Sequence, residues 1–201
     1  MKSNALHLAV LISGNGSNLQ AIIDACQSTD FPAEIKVVIS SSPDAYGLER
    51  AKKAGIPTLG LNYKSFNSRE DFESIIQNEL GNYHIDLICL AGFMRVLTPS
   101  FIAKWSHRII NTHPSLLPKF GGTGMYGMRV HKAVIKAGVD ISGSTIHYVI
   151  PDVDKGEIIL QKQVSVHPDD TPETLSTKVI EQEHIAYPEA IKAIAREKGL
   201  I

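Results

Sequence analysis

Ile85-Asp86-Leu87-Ile88-Cys89-Leu90-Ala91 (IDLICLA) is apolar at every position except Asp86. A run of that length without alternation is the mark of a central strand covered on both faces. Working outward, Leu6–Ile12, Ile35–Ser40, Thr58–Leu61 and Arg108–Ile110 read as further short strands. Between them Ser17–Ala25, Tyr46–Ala54, Arg69–Leu80 and Pro99–Lys104 carry helical periodicity. Strand and helix in strict alternation predict βαβ units around a parallel sheet. Thr98-Pro99 and Thr171-Pro172 each offer a Thr N-cap followed by Pro at the first helical position.

The pattern changes after Thr112. Ser115–Gly127 reads as a long loop rich in Pro and Gly, and Val130–Ala137 as a short helix. Ser144–Ile150 and Ile158–Val166 alternate like an antiparallel pair joined by the turn Pro151–Gly156. A last helix runs from about Pro172 to Arg196. The expected fold is therefore α/β: a doubly wound, Rossmann-like, mostly parallel sheet with an antiparallel C-terminal strand pair.

Composition narrows the function classes. With 201 residues and 43% hydrophobic content the chain suffices for one domain, residues 1–201, with a packed core. A formal net charge of -1 argues against a general nucleic-acid or membrane-surface binder. No apolar run approaches the roughly 20 residues of a membrane span, and the start lacks a signal-peptide pattern. Cys26 and Cys89 read as buried reduced thiols, so a cytoplasmic location is expected. Eight histidines include no pair at a clear metal-ligand spacing, and no metal is expected.

Four places carry candidate chemistry. Ser13-Gly14-Asn15-Gly16-Ser17-Asn18 joins the first strand to the first helix, where free N–H groups favour an anion. Leu19 stands where a dinucleotide fingerprint has its third glycine, and the lysine of a P-loop is missing, so a lone phosphate suits the loop best. Asn111-Thr112-His113 ends a core strand, the usual ligand edge of an open α/β sheet. There Asn offers an oxyanion donor and His a proton, or both simply pin the loop. Asp154, in Asp152–Gly156, is either an ordinary turn carboxylate or a partner that keeps His113 charged. Glu183 falls inside the apolar stripe Leu175, Val179, Tyr187, Ile191, Ile194. An inward carboxylate needs a partner, either an amine or sugar hydroxyls, or a neighbouring Lys or Arg.

The segments LISGNGSNLQAIIDA (Leu11–Ala25), LAGFMRVLTPSF (Leu90–Phe101), INTHPSLLPKF (Ile110–Phe120), STIHYVIPDVDKG (Ser144–Gly156) and QEH (Gln182–His184) together resemble the glycinamide ribonucleotide formyltransferases. The resemblance runs along essentially the whole chain, in order. HPSLLP alone recurs in methionyl-tRNA formyltransferases and formyltetrahydrofolate hydrolases, which carry an extra domain and do not use GNGSN.

The resemblance implies transfer of a formyl group from 10-formyltetrahydrofolate to the amine of 5-phosphoribosyl-glycinamide, in purine synthesis and without a metal. It implies a phosphate-binding half, residues 1–110, and a catalytic and folate-binding half, residues 111–201. It implies catalysis by Asn111, His113 and Asp154, and phosphate contacts from Gly16, Ser17 and Asn18. Glu183 is implied to meet the ribonucleotide. Folate is implied to lie along Met94, Arg95, Val96 and Leu97 beside Asn111, with Arg69 near its glutamate tail. His131, beyond the Gly121–Gly127 loop, matches a substrate-side histidine only if the register holds. A homodimer stays open. The rivals are a formyltransferase or hydrolase with another acceptor, and a non-catalytic nucleotide-binding regulator that keeps only GNGSN.

Overall fold

The computed structural model describes residues 5–201. Its centre is one seven-stranded sheet in the order β3-β2-β1-β4-β5-β6-β7. The strands are β1 (Leu6–Ile12), β2 (Ala33–Ser40), β3 (Thr58–Gly60), β4 (Leu87–Leu90), β5 (Ile109–His113), β6 (Ile141–Tyr148) and β7 (Ile158–Ser165). The helices are α1 (Ser17–Gln27), α2 (Tyr46–Lys53), α3 (Arg69–Leu80), α4 (Pro99–Lys104), α5 (Met128–Ala137) and α6 (Pro172–Glu197). β1 to β5 are parallel; β6 and β7 are antiparallel to their neighbours. The doubly wound sheet with an antiparallel C-terminal pair is the architecture expected from the alternation of elements.

Both faces of the sheet are covered, which is why its central strands are apolar without a break. Leu8, Val10, Cys89 and Ile110 pack under α1 and α6 with Leu19, Ile22, Tyr187 and Ile191. Ala9, Leu11, Ile88 and Leu90 face the other way, against Phe72 and Ile76 of α3 and Phe101 and Ile102 of α4. A third, smaller cluster joins Val130 and Val134 of α5 to Leu175 and Val179 of α6. Cys89 is fully buried, and burial drives its thiol pKa far up; Cys26 is only half-buried, against the expectation of two buried thiols.

Several boundaries differ from the sequence expectation, each for a pairing reason. In IDLICLA the strand proper is Leu87–Leu90, because Asp86 turns its carboxylate to the backbone N–H of His7 at 2.9 Å. β5 continues past Ile110 to His113, since Asn111 pairs with His147 and His113 with Thr145. β6 starts at Ile141, three residues early, where Ile141 meets Ser165, and it ends at Tyr148 rather than Ile150. A single 3-10 turn at Tyr63–Ser65, capped by the Asn62 side chain, has no counterpart in the periodicity. Thr98 and Thr171 do cap α4 and α6 with Pro inside the first turn.

Candidate active site

The chain runs from β1 to β2 and β3 on one side and from β4 to β5 on the other. The strand order therefore reverses between β1 and β4, and the loops leaving that point diverge into a crevice. A cavity of about 290 Å³ lies there, lined by the whole Ser13–Asn18 loop with Gly92 and Met94.

Gly16 is the residue before α1 and adopts a left-handed conformation, φ 74°. A Cβ on it would lie 2.8 Å from Gly47 Cα, so α2 and the loop approach as closely as two glycines allow. No side chain caps α1. Its first N–H groups therefore have no side-chain cap, and a helix start of this kind favours an anion. The Ser13 hydroxyl accepts the backbone N–H of Met94 at 2.8 Å and shares a hydrogen with Ser41 Oγ at 2.7 Å. It thereby ties the Ser13–Asn18 loop to the Met94–Leu97 segment.

That segment is mixed in exposure. Met94 and Val96 are exposed and Leu97 is buried. Arg95 stacks its guanidinium on the Tyr63 ring, 4.1 Å from the centroid, and its Nε has no partner. The far end of the segment is fixed by Glu73, which accepts both the N–H and the hydroxyl of Thr98. Arg69 is exposed at the start of α3, one turn before Glu73.

Asp154, distant in sequence, comes to the carboxyl end of β5, where Asn111 and His113 stand two residues apart. His113 is buried, with Nδ1 3.3 Å from Asp154 Oδ2 and Nε2 2.8 Å from the Phe120 carbonyl. Both neighbours are acceptors, so either ring nitrogen that carries a proton has a partner for it. Asp154 Oδ2 also accepts the Gly122 N–H at 2.9 Å. The same carboxylate thus fixes the Gly121–Gly127 loop and faces the histidine. Asp154 itself is left-handed, φ 59°, a conformation that Asp and Asn tolerate better than most residues.

The sequence reading missed His147. It is buried on β6 opposite Asn111, with Nδ1 2.9 Å from the Tyr148 carbonyl and Nε2 3.4 Å from Asn111 Nδ2. Burial lowers its pKa, against the Tyr148 carbonyl and Asp154 (Oδ1 at 3.7 Å), which pull it up. A neutral ring whose Nδ1–H is given to Tyr148 presents a lone pair at Nε2, and that lone pair receives the Asn111 amide. Its alternation within STIHYVI marks a strand face, but only the β5–β6 register shows what the face meets.

Glu183 is buried on α6 and meets no Lys or Arg among the described ion pairs; Asn18 Nδ2 donates to its Oε2 at 2.8 Å. The pairing with a neighbouring cation is therefore not what the fold uses. Burial raises the Glu183 pKa, and the Asn18 amide and the nearby Thr112 hydroxyl act against it. Asn18 Oδ1 and Thr112 Oγ1 remain buried without a partner of good geometry. His131 is buried on α5 with Nδ1 unpartnered, its pKa lowered by burial and by His113.

A second cavity, about 220 Å³, opens between α4 and the strap that follows β6, lined by Ile102, His107, Tyr148, Val149 and Pro151 among others. Among the described residues no group of three or more His, Cys, Asp or Glu side chains is arranged to hold a metal ion, and no helix is long and apolar enough to cross a membrane.

Comparison with known proteins identifies the family. A family profile described as "Formyl transferase" matches residues 6–191. Phosphoribosylglycinamide formyltransferase of Haemophilus influenzae is 45% identical over 185 residues, covering 92% of this chain and 85% of the relative. Trifunctional purine biosynthetic protein adenosine-3 of Homo sapiens is 45% identical over 188 residues, covering 94% of this chain and 18% of the relative. The chain spans about a fifth of the length of such trifunctional relatives, 19% in Gallus gallus. Among solved structures, glycinamide ribonucleotide transformylase 1 from Symbiobacterium toebii superposes with a TM-score of 0.90 at 41% identity, covering 97% of this chain and 90% of that one. Coverage of nearly the whole length, in one architecture and at such identity, leads to a single conclusion: the chain belongs to the phosphoribosylglycinamide formyltransferase family.

Proposed function

We propose that this chain transfers the formyl group of 10-formyltetrahydrofolate to the amine of 5-phosphoribosyl-glycinamide, giving the N-formyl product and tetrahydrofolate for purine synthesis. The observation that carries the proposal is the convergence of Asn111, His113 and Asp154. They meet at the sheet edge that also holds the Ser13–Asn18 cavity. A nucleotide regulator needs the loop but has no use for a buried His–Asp pair beside it.

In this reading the phosphate rests on the N–H groups of Gly16, Ser17 and Asn18, and Glu183 receives the ribose hydroxyls. The folate lies along Met94–Leu97, and the apolar cavity beside Ile102 and Val149 takes its flat ring. The glycinamide amine attacks the formyl carbon, forming the new C–N bond and placing negative charge on the formyl oxygen. One Asn111 amide hydrogen is held by His147; the other is left for that oxygen. A donor of this kind is worth about 3–4 kcal/mol in the transition state.

His113 supplies the second donor once its Nε2 exchanges the Phe120 carbonyl for the oxyanion, with Asp154 balancing the ring's charge. Collapse breaks the bond from the formyl carbon to the folate nitrogen, which takes up the proton released by the amine. The experiment is to mix the protein with both substrates and follow folate absorbance. Turnover requiring both supports the assignment. Hydrolysis of the folate without the ribonucleotide, or no turnover, rejects it in favour of the rivals.

A further inference from the structure

The cavity at the Ser13–Asn18 loop contains no Lys, Arg or His among its lining residues. A phosphate dianion placed there has only neutral donors around it. The cation bonded to the rim of the loop is Arg50, on α2. Its Nε donates to the Asn15 carbonyl at 2.9 Å, one terminal nitrogen donates to Asn15 Oδ1 at 2.7 Å, and the other to Gln20 Oε1 at 3.2 Å. The same guanidinium lies 4.8 Å from the centroid of the Tyr46 ring. Its three described hydrogen bonds all go to the loop and the first turns of α1, and three acceptors and one aromatic face hold the fork.

This geometry settles the orientation of Asn15. Guanidinium nitrogens only donate, so the amide edge facing Arg50 is the oxygen. The Asn15 NH2 group therefore faces away, and no described hydrogen bond gives it a protein acceptor. Asn15 lines the cavity. We propose that Arg50 is the positioning cation of the phosphate site: it turns the Asn15 amide so that its NH2 serves the phosphate, and it supplies the positive charge that the cavity wall lacks. This inference rests on the reading of the loop as the phosphate site. Arg50 touches no substrate and acts through Asn15.

The test compares two ligands, 5-phosphoribosyl-glycinamide and its dephosphorylated analogue, bound in competition by wild type, Arg50→Gln, Arg50→Lys and Asn15→Ala, with Tm recorded for each. Wild type prefers the phosphorylated ligand. Charge-assisted hydrogen bonds of this sort set an expected narrowing of that preference by about tenfold in Arg50→Gln and Asn15→Ala. Arg50→Lys falls between, because it keeps the charge and loses the fork. The Arg50→Gln, Asn15→Ala double variant matches Arg50→Gln alone, which already loses both the charge and the aimed amide. Equal weakening of both ligands, or an unchanged preference in Arg50→Gln, overturns the role of Arg50. A wild type with no preference for the phosphorylated ligand fails the phosphate-site reading instead, and the two failures are therefore distinct.

Discussion

Asn111 gives an amide hydrogen to His147 across the β5–β6 pair, and His147 can accept it because its other nitrogen is committed to the Tyr148 carbonyl. The histidine thereby fixes which edge of the Asn111 amide is left free, the edge that the proposed function gives to the formyl oxygen. His147→Ala is expected to lower kcat by about tenfold to a hundredfold with both KM values nearly unchanged, as for a contact that matters mainly in the transition state. His147→Gln, which keeps an acceptor, recovers part of the loss. Acid should mimic the lesion, since a protonated Nε2 cannot accept. Burial holds the folded pKa of His147 below its ordinary 6.5, as it does for His131 and His184. The unfolded chain then takes up these protons first. Stability is full above about pH 6.5 and declines as pH falls through the lowered folded values. Urea unfolding between pH 5 and 8 in the Glu183→Gln background, which removes the opposite pH dependence of that carboxyl, checks the sign; stability rising on acidification there contradicts it.

Asp154 holds His113 and the Gly122 N–H with one oxygen, so the two functions separate by substitution. Asp154→Asn keeps the left-handed backbone comfortable and can still accept from Gly122. It is expected to lose about a hundredfold or more in kcat while the loop stays ordered. Asp154→Ala should lose as much and also expose Gly121–Gly127 to proteolysis. The pair His113→Ala, Asp154→Asn should be little worse than either alone, because the groups act as a unit. Multiplicative losses in single-turnover assays would show that they act separately.

Gly16→Ala tests the phosphate loop through its backbone. The left-handed φ and the 2.8 Å approach of a new Cβ to Gly47 Cα combine to force α1 and α2 apart. About 1–3 kcal/mol of stability should be lost, with the ribonucleotide KM rising far more than the folate KM. Parallel rises in both would place the loop outside the ribonucleotide site.

The sheet and its edge were legible because period and punctuation are local: the unbroken apolar run of β4, the alternation in β6 and β7, and the Thr-Pro caps need no long-range information. Pairing is not local. Nothing in Arg108–Ile110 says that the strand continues to His113; the partner that extends it, β6, lies thirty residues on. His147 and Arg50 were illegible for the same reason, as was the tie from Ser13 to Met94 within a loop the sequence did mark. His147 and Arg50 are ordinary polar residues until the fold sets them against Asn111 and Asn15. Glu183 was the reverse case, where a carboxylate in an apolar stripe announced a buried partner but not its identity.

The partner proves to be Asn18, and in the proposed function Glu183 is a place where stability and binding conflict. Burial lifts its pKa above the ordinary 4.5, so the folded state disfavours the charged form. Below about pH 4.5 both folded and unfolded chains carry the proton and nothing is lost. As pH rises through the folded pKa, the unfolded chain is free to ionise while the buried group ionises at a cost, so stability falls. Glu183→Gln removes that cost and can still accept the Asn18 amide through its own oxygen. The variant should therefore be as stable as the parent near pH 4.5 and more stable at pH 8. At about 2–4 °C in Tm per kcal/mol for a chain of this size, calorimetry can resolve the difference. Binding should move the other way. A carboxylate accepts two sugar hydroxyls, whereas an amide presents one acceptor and one donor, so the ribonucleotide KM should rise about tenfold or more. Gains in Tm that do not grow with pH would mean that Glu183 is not a strained buried acid. A stabilised variant with an unchanged KM would leave the carboxylate with no part in binding, and its place beside Asn18 would be a matter of packing alone.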